Sequence, residues 1–276
     1  MSADAKSLLL RIADAVDRLA PKAVPQTDWQ AHPAYLWQGD SAREVATLLA
    51  PALDLLRGID QQKAVVFDNI VRHAEGHAAH DMLLWGARGM GKSALLRSAI
   101  IAAQGRRPRS IALVQVAPDA LSGLTALFAE LGRVDRQFLV YLDDLGFEDG
   151  DSTGPRQLRS WLEGGIEARP ANVRLAVTAN RRAIVSRHMS EQDDPINLRD
   201  VVDDRLALAD RFGLSVGFHA CDQDDYLAII AGYAGDLGLQ FEQADALEWS
   251  RRRGARSGRV AWHYVTELAG RAGRKL

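Results

Sequence analysis

The stretch Gly86-Ala87-Arg88-Gly89-Met90-Gly91-Lys92-Ser93 limits what this chain can fold into more than any other feature of its 276 residues. It fits G-x-x-x-x-G-K-[ST], follows a short apolar run at 82–85 and precedes a helical pattern at 92–104. A strand, a glycine-rich turn and a helix in that order form a phosphate cradle. Glycines let the main chain turn its N–H groups inward where a Cβ would clash, and the helix start adds positive potential. Residues Gly86, Ala87, Arg88, Gly89, Met90, Gly91, Lys92, Ser93 and Ala94 are therefore the expected nucleotide contacts. Lys92 is expected on the β and γ phosphates, and the Ser93 hydroxyl on Mg²⁺.

The surrounding pattern agrees with a sheet built around that turn. Apolar runs at 82–85, 111–116, 138–142, 173–178 and 214–218 alternate with helical stretches near 92–104, 119–131, 155–168 and 181–188. Near-continuous apolar strands separated by helices predict a three-layer αβα core with a five-stranded, mostly parallel sheet. Ligands in such sheets sit beyond the carboxyl ends of the strands. Before this core, Leu8, Ile12, Val16 and Leu19 predict an amphipathic helix over 3–20. Ser41 and Glu44 read as a capping box opening a second helix over 41–56. After the core, helices are expected near 224–233, 243–253 and 257–269. Residues 1–57, 58–219 and 220–276 thus divide into an N-terminal helical region, a P-loop core and a C-terminal helical region.

Two further strand ends supply chemistry. Phe138-Leu139-Val140-Tyr141-Leu142 leads into Asp143 and Asp144. Asp143 is placed to hold the Mg²⁺ shell, and Asp144 to polarise the attacking water. Aspartate is one methylene shorter than glutamate, which shortens its reach to that water. The run at 173–178 delivers Asn180, whose amide can orient the water or touch the γ phosphate.

The order GARGMGKS, FLVYLDD, VTAN, LADRFGL resembles the AAA+ ATPases from about residue 58 onward. The strings DDLGFED, LEGGIEARPANVRLAVTANRR, LADRFGLSVGFH and RRRGARSGRVAW resemble a narrower group, domain-of-unknown-function family 815. The resemblance implies that Arg211 is an arginine finger acting on a neighbour's nucleotide, with Arg205 as the alternative. It implies that Arg259, or failing it Arg256, is a lid arginine reaching back to the phosphates. A finger used in trans requires a homo-oligomer, a ring or a filament with a head-to-tail interface. The expected cofactors are ATP and Mg²⁺. The function implied is ATP hydrolysis coupled to work on a macromolecular client; the alternative is a nucleotide-gated adaptor or loader with little turnover.

Composition excludes other classes. No apolar run approaches the roughly 18 residues of a bilayer span. The lone cysteine, Cys221, permits no intrachain disulfide and fits a cytoplasmic protein. Net charge of −2 argues against a general nucleic-acid glove. Arg251, Arg252, Arg253, Arg256, Arg259, Arg271, Arg274 and Lys275 nevertheless face only Glu267 in sequence after residue 250, so DNA stays beside protein as a possible client. His73, His77 and His80 share helical spacing, but Glu75 breaks the H-E-x-x-H pattern, and surface histidines are expected. Glu148, Asp149 and Asp151 lack the alternating acids of a calcium loop.

Overall fold

The computed structural model describes residues 27–145, 158, 160–162, 169–180 and 210–276. Seven strands form one sheet: β1 (Ala34–Trp37), β2 (Ala42–Val45), β3 (Met82–Gly86), β4 (Ile111–Val116), β5 (Gln137–Leu142), β6 (Val173–Ala179) and β7 (Leu214–Phe218). Their spatial order is β2-β1-β4-β5-β6-β3-β7. Every pairing is parallel except β1 with β2. Helices bounded within the described residues are α1 (Asp60–Ala74), α2 (Lys92–Arg106), α3 (Leu124–Leu131), α4 (Gln223–Asp236), α5 (Gln243–Arg252) and α6 (Gly258–Arg271).

Period-two alternation splits the strands between two cores. Met82, Leu84, Leu139, Tyr141 and Phe218 pack on one face with α1, α2 and the C-terminal helices. Leu83, Phe138, Val140, Leu142 and Val177 pack on the other with α3 and Trp29. Each such large side chain contributes about 2 kcal/mol on burial. Two apolar faces on one sheet demand helices on both sides, which gives the three layers.

The sheet has seven strands where five were expected, and the predicted helix over 41–56 does not exist. Residues 34–45 instead form a hairpin that extends the β4 edge. Tyr35 and Trp37, two apart, both bury their rings on the α3 face, as only a strand permits. Gly39, at φ 108°, turns the chain, and Gln38 N–H donates to Ser41 O at 2.9 Å. Ser41 therefore closes a turn and caps no helix; its hydroxyl donates to Asp40 Oδ1. Buried Arg136 fastens the approach to the hairpin, donating to the carbonyls of Trp29 and His32 at 2.8 Å each and of Ile111 at 3.2 Å. Aromatic burial and these long-range bonds outweigh a local capping signal.

Beyond β2 the chain crosses α2, where Ser98 Oγ donates to Pro51 O at 2.7 Å, and makes a single 3₁₀ turn at Leu53–Leu55. The predicted helices over 3–20 and 181–188, most of that over 155–168, and the acidic residues 148–151 and 191–194 lie outside the described residues. Among the described residues no helix is long and apolar enough to cross a membrane.

The candidate nucleotide site

The turn from β3 into α2 is shaped by backbone that admits no side chain. Gly86 has φ 130°, and a Cβ there would lie 2.0 Å from the Phe218 carbonyl oxygen of β7. Gly89, at φ 76°, would push a Cβ to 2.9 Å from Ser257 Oγ at the start of α6. The loop is thus clamped between β7 and the start of α6: Ala87 N–H donates to Phe218 O, and Arg259 N–H to Gly89 O, each at 3.1 Å. The first turn of α2 leaves main-chain donors without helical acceptors, which suits an anion.

Lys92, the first residue of α2, is buried, with its ammonium donating to Gly86 O at 2.7 Å and Ala87 O at 2.9 Å. Burial lowers its pKa; the nearby Asp144 and Asp143 carboxylates oppose that shift. Those two carbonyls hold the cation in place at the loop.

Asp143 follows the end of β5 and accepts three hydroxyls on one oxygen, Oδ1. Ser93 Oγ donates from 2.9 Å, Thr178 Oγ1 from 2.8 Å, and the Tyr141 hydroxyl from closer still. Burial pushes the carboxyl pKa up, but the hydrogen bonds from Tyr141, Thr178 and Ser93 outweigh it and hold Asp143 below the usual carboxylate range. Tyr141 is raised well above an ordinary phenol, first by burial and then by its bond to Asp143. Thr178 also accepts the Asp144 N–H at 2.8 Å, and its carbonyl accepts from Leu145 N–H at 2.8 Å. Asp144 sits at φ 50°, in the left-handed region, so these two bonds brace a turn that aspartate seldom adopts. Its Oδ1 takes a hydrogen bond from Asn180 Nδ2, and its Oδ2 lies 4.0 Å from Arg88.

Lys92, Ser93, Asp143, Asp144, Thr178 and Asn180 border one cavity of about 1080 Å³, which the predicted contacts Gly86 and Ala87 and the Tyr141 ring do not line. Of the residues predicted from sequence, Arg88, Gly89, Met90, Gly91, Lys92, Ser93, Ala94, Asp143, Asp144, Asn180 and Arg259 line it. Arg211 does not. It precedes the amino end of β7, whereas the glycine loop follows the carboxyl end of the parallel β3. Five paired residues separate those ends, about 13 Å at 3.3 Å per residue. Arg205 lies outside the described residues, and Arg256 is exposed without lining the cavity.

Sequence reasoning did not identify Tyr141, Thr178 or Arg97, nor the opposite wall. That wall comprises Leu49–Ala52, Leu55–Arg57 and Ile59, with Ile229 and Tyr233 of α4 and Trp262 of α6. A hydroxyl inside each of the apolar runs FLVYL and VRLAVT was the available signal for Tyr141 and Thr178. The histidine reading also needs correction. His73 is buried, with Nε2 at 3.0 Å from Phe138 O. Burial lowers its pKa to about 4, with the carbonyl only partly opposing. The α1 face that carries it packs on β5, which spacing alone could not reveal. Cys221 is buried, and that burial raises its thiol pKa to about 11.

No curated protein sequence matches the chain. Solved structures do. RuvB of Thermotoga maritima, described as a Holliday junction branch migration motor, superposes with a TM-score of 0.54 at 17% identity, covering 83% of this chain and 68% of that one. The Aeropyrum pernix ORC2 protein, solved as ADPNP and ADP complexes, gives 0.53 at 17% identity, over 82% of this chain and 65% of that one. The Aeropyrum pernix ORC1 protein in complex with DNA gives 0.54 at 14%, over 83% and 66%. At such identities the likeness is one of fold, the P-loop core of AAA+ ATPases. With that fold in place and a family sequence model matching residues 30–272, the chain belongs to the family described as Protein of unknown function (DUF815).

Proposed function

We propose that this chain binds ATP with Mg²⁺ in the cavity described above and hydrolyses it, as an oligomer acting on a macromolecule. One observation carries the reading: the Lys92 ammonium, the Ser93 hydroxyl and the Asp143 carboxylate border a single cavity at the start of a helix reached through a glycine turn. The donor set fits the metal. A magnesium ion keeps most of its waters and takes few protein oxygens, and here one hydroxyl touches one carboxylate held below its usual pKa.

In this reading the loop amides and Lys92 hold phosphate oxygens, Lys92 exchanging its carbonyl partners for them. Ser93 and Asp143 would hold the metal, which would supply positive charge to the phosphates. Asp144 accepts the proton of the attacking water, and Asn180 keeps that carboxylate and the water aligned. Arg259 reaches the phosphates from the lid. Arg211, at the far end of the sheet from its own glycine loop, serves the nucleotide of an adjoining copy in a ring or filament. The limited reach of Asp144 favours slow hydrolysis and keeps a nucleotide-gated adaptor as the second reading.

DNA is the first client to test. Arg251, Arg252, Arg253 and Arg256 are exposed at the lid tip, and two structural neighbours are described as a branch migration motor and as a DNA complex. Phosphate release by the pure protein, with and without duplex DNA and across salt concentrations, tests client and turnover together. ATP binding without release selects the adaptor, and DNA affinity that ignores salt removes the nucleic-acid client. Arg211→Ala should keep ATP binding and lose turnover by about 10³-fold. Normal turnover in that variant rejects the finger.

A further inference from the structure

We propose that Tyr141 and Thr178 are positioning residues for a divalent cation. Their two hydroxyls commit Oδ1 of Asp143 to the protein and leave Oδ2 for the metal's water shell. The proposal rests on the nucleotide reading above and extends it to residues outside the glycine loop. Tyr141 and Asp143 are two apart at the end of β5, so the phenol stands beside the carboxylate on the same side of the strand. The ring is almost wholly buried in the core shared with α1 and α2. Phenylalanine would fill that space with no donor to satisfy, whereas a buried hydroxyl left unpaired costs about 1–3 kcal/mol. The donor is spent on Asp143.

Thr178 adds a second constraint from the neighbouring strand β6. Its hydroxyl donates to Asp143 Oδ1 and accepts the N–H of Asp144, tying the two acids to one point. Ser93 completes the set, but it belongs to the loop that must receive the nucleotide. Tyr141 and Thr178 belong to the sheet and keep Oδ1 engaged whatever Ser93 does. Oδ2 accepts none of these three hydrogen bonds. A carboxylate fixed in this way presents its free oxygen without first losing rotational freedom. Outer partners of metal ligands act in this manner, at about 10–100-fold in metal affinity.

The test uses the full chain and a fluorescent ATP analogue, titrated with Mg²⁺ and, separately, in excess chelator. Tyr141→Phe is expected to raise the half-saturating Mg²⁺ concentration about 10-fold while metal-free analogue affinity stays within about twofold. Thr178→Val is expected to move the same way, and Thr178→Ser, which keeps the hydroxyl, to remain near wild type. Unchanged Mg²⁺ dependence in Tyr141→Phe and Thr178→Val overturns the proposal, as does an equal loss in both arms. Should Tyr141→Phe not fold, the Thr178 pair decides by the same criteria. Failure of the wild-type protein to bind the analogue in either arm rejects the nucleotide reading itself, and this proposal with it.

Discussion

The two walls of the cavity are built on different principles. The glycine-loop side, Arg88 to Ser93 with Asp143 and Asp144, is polar, continuous in sequence or at strand ends, and shaped by the main-chain conformation set at Gly86 and Gly89. The opposite side gathers Leu56, Ile59, Tyr233 and Trp262 from three distant segments, and ring contacts and aliphatic packing hold it. Tyr233 and Trp262 meet edge to face with centroids 5.0 Å apart. The first wall has little freedom to vary, because a single Cβ would collide with backbone. The second can exchange one apolar side chain for another at modest cost.

That contrast can be broken at its strongest point first. Gly86→Ala places a methyl group 2.0 Å from the Phe218 carbonyl in a backbone conformation that alanine avoids. A loss of about 4 kcal/mol of stability is expected in chemical denaturation; a change below about 1 kcal/mol would show the polar wall to be pliable. Lys92→Ala removes the one buried ammonium of that wall. Nucleotide affinity should fall at least about 100-fold, close to 3 kcal/mol, by calorimetric titration. Unchanged affinity would reject the cradle.

A third test concerns α1, which joins the walls: Ile59 stands before its first turn at the apolar side, and His73 near its end bonds the strand that leads to Asp143. His73 has a folded pKa of about 4 against an ordinary 6.5. The neutral ring therefore contributes stability that is fully present above pH 6.5 and lost as pH falls through the interval down to about 4. The loss sums to about 3 kcal/mol. His73→Gln, which can still donate to Phe138 O, should flatten that part of the denaturation profile; a profile as steep as wild type would place the proton elsewhere. The smallest effect belongs to the apolar wall. Trp262→Ala should weaken nucleotide binding about fivefold, near 1 kcal/mol, with little change in melting temperature. A loss as large as that of Lys92→Ala would erase the distinction between the walls.

The same distinction explains which parts were legible in sequence. The strands bounded at 111–116 and 214–218 coincide with β4 and β7: β4, inside the sheet, is a nearly continuous apolar run, and β7, at the edge, keeps apolar Leu214, Val216 and Phe218 at alternate positions. The C-terminal helices near 224–233, 243–253 and 257–269 correspond to α4, α5 and α6, and Ser257 caps the last by accepting from Val260 N–H. The sequence pattern pointed to a helix over 41–56 where the structure has β2 of the hairpin. Its four-residue strands are too short to display alternation, and Ser41 with Glu44 mimicked a capping box. The Thr178 hydroxyl on Asp143 and the Trp29 carbonyl on Arg136 were not legible either, because these partners lie 35 and 107 residues away.

By itself the amino-acid order determined the glycine loop, the acids after β5 and the alternation of buried strands with helices. Each depends on neighbours within a few residues, through φ angles, strand period and the start of a helix. Only the tertiary structure decided that the hairpin completes the sheet, that His73 is buried where α1 meets β5, that Tyr141 and Thr178 share one carboxylate oxygen, and that Arg211 stands at the far end from its own loop. Those outcomes follow from which segments bury one another, a competition among long-range contacts that no local pattern records.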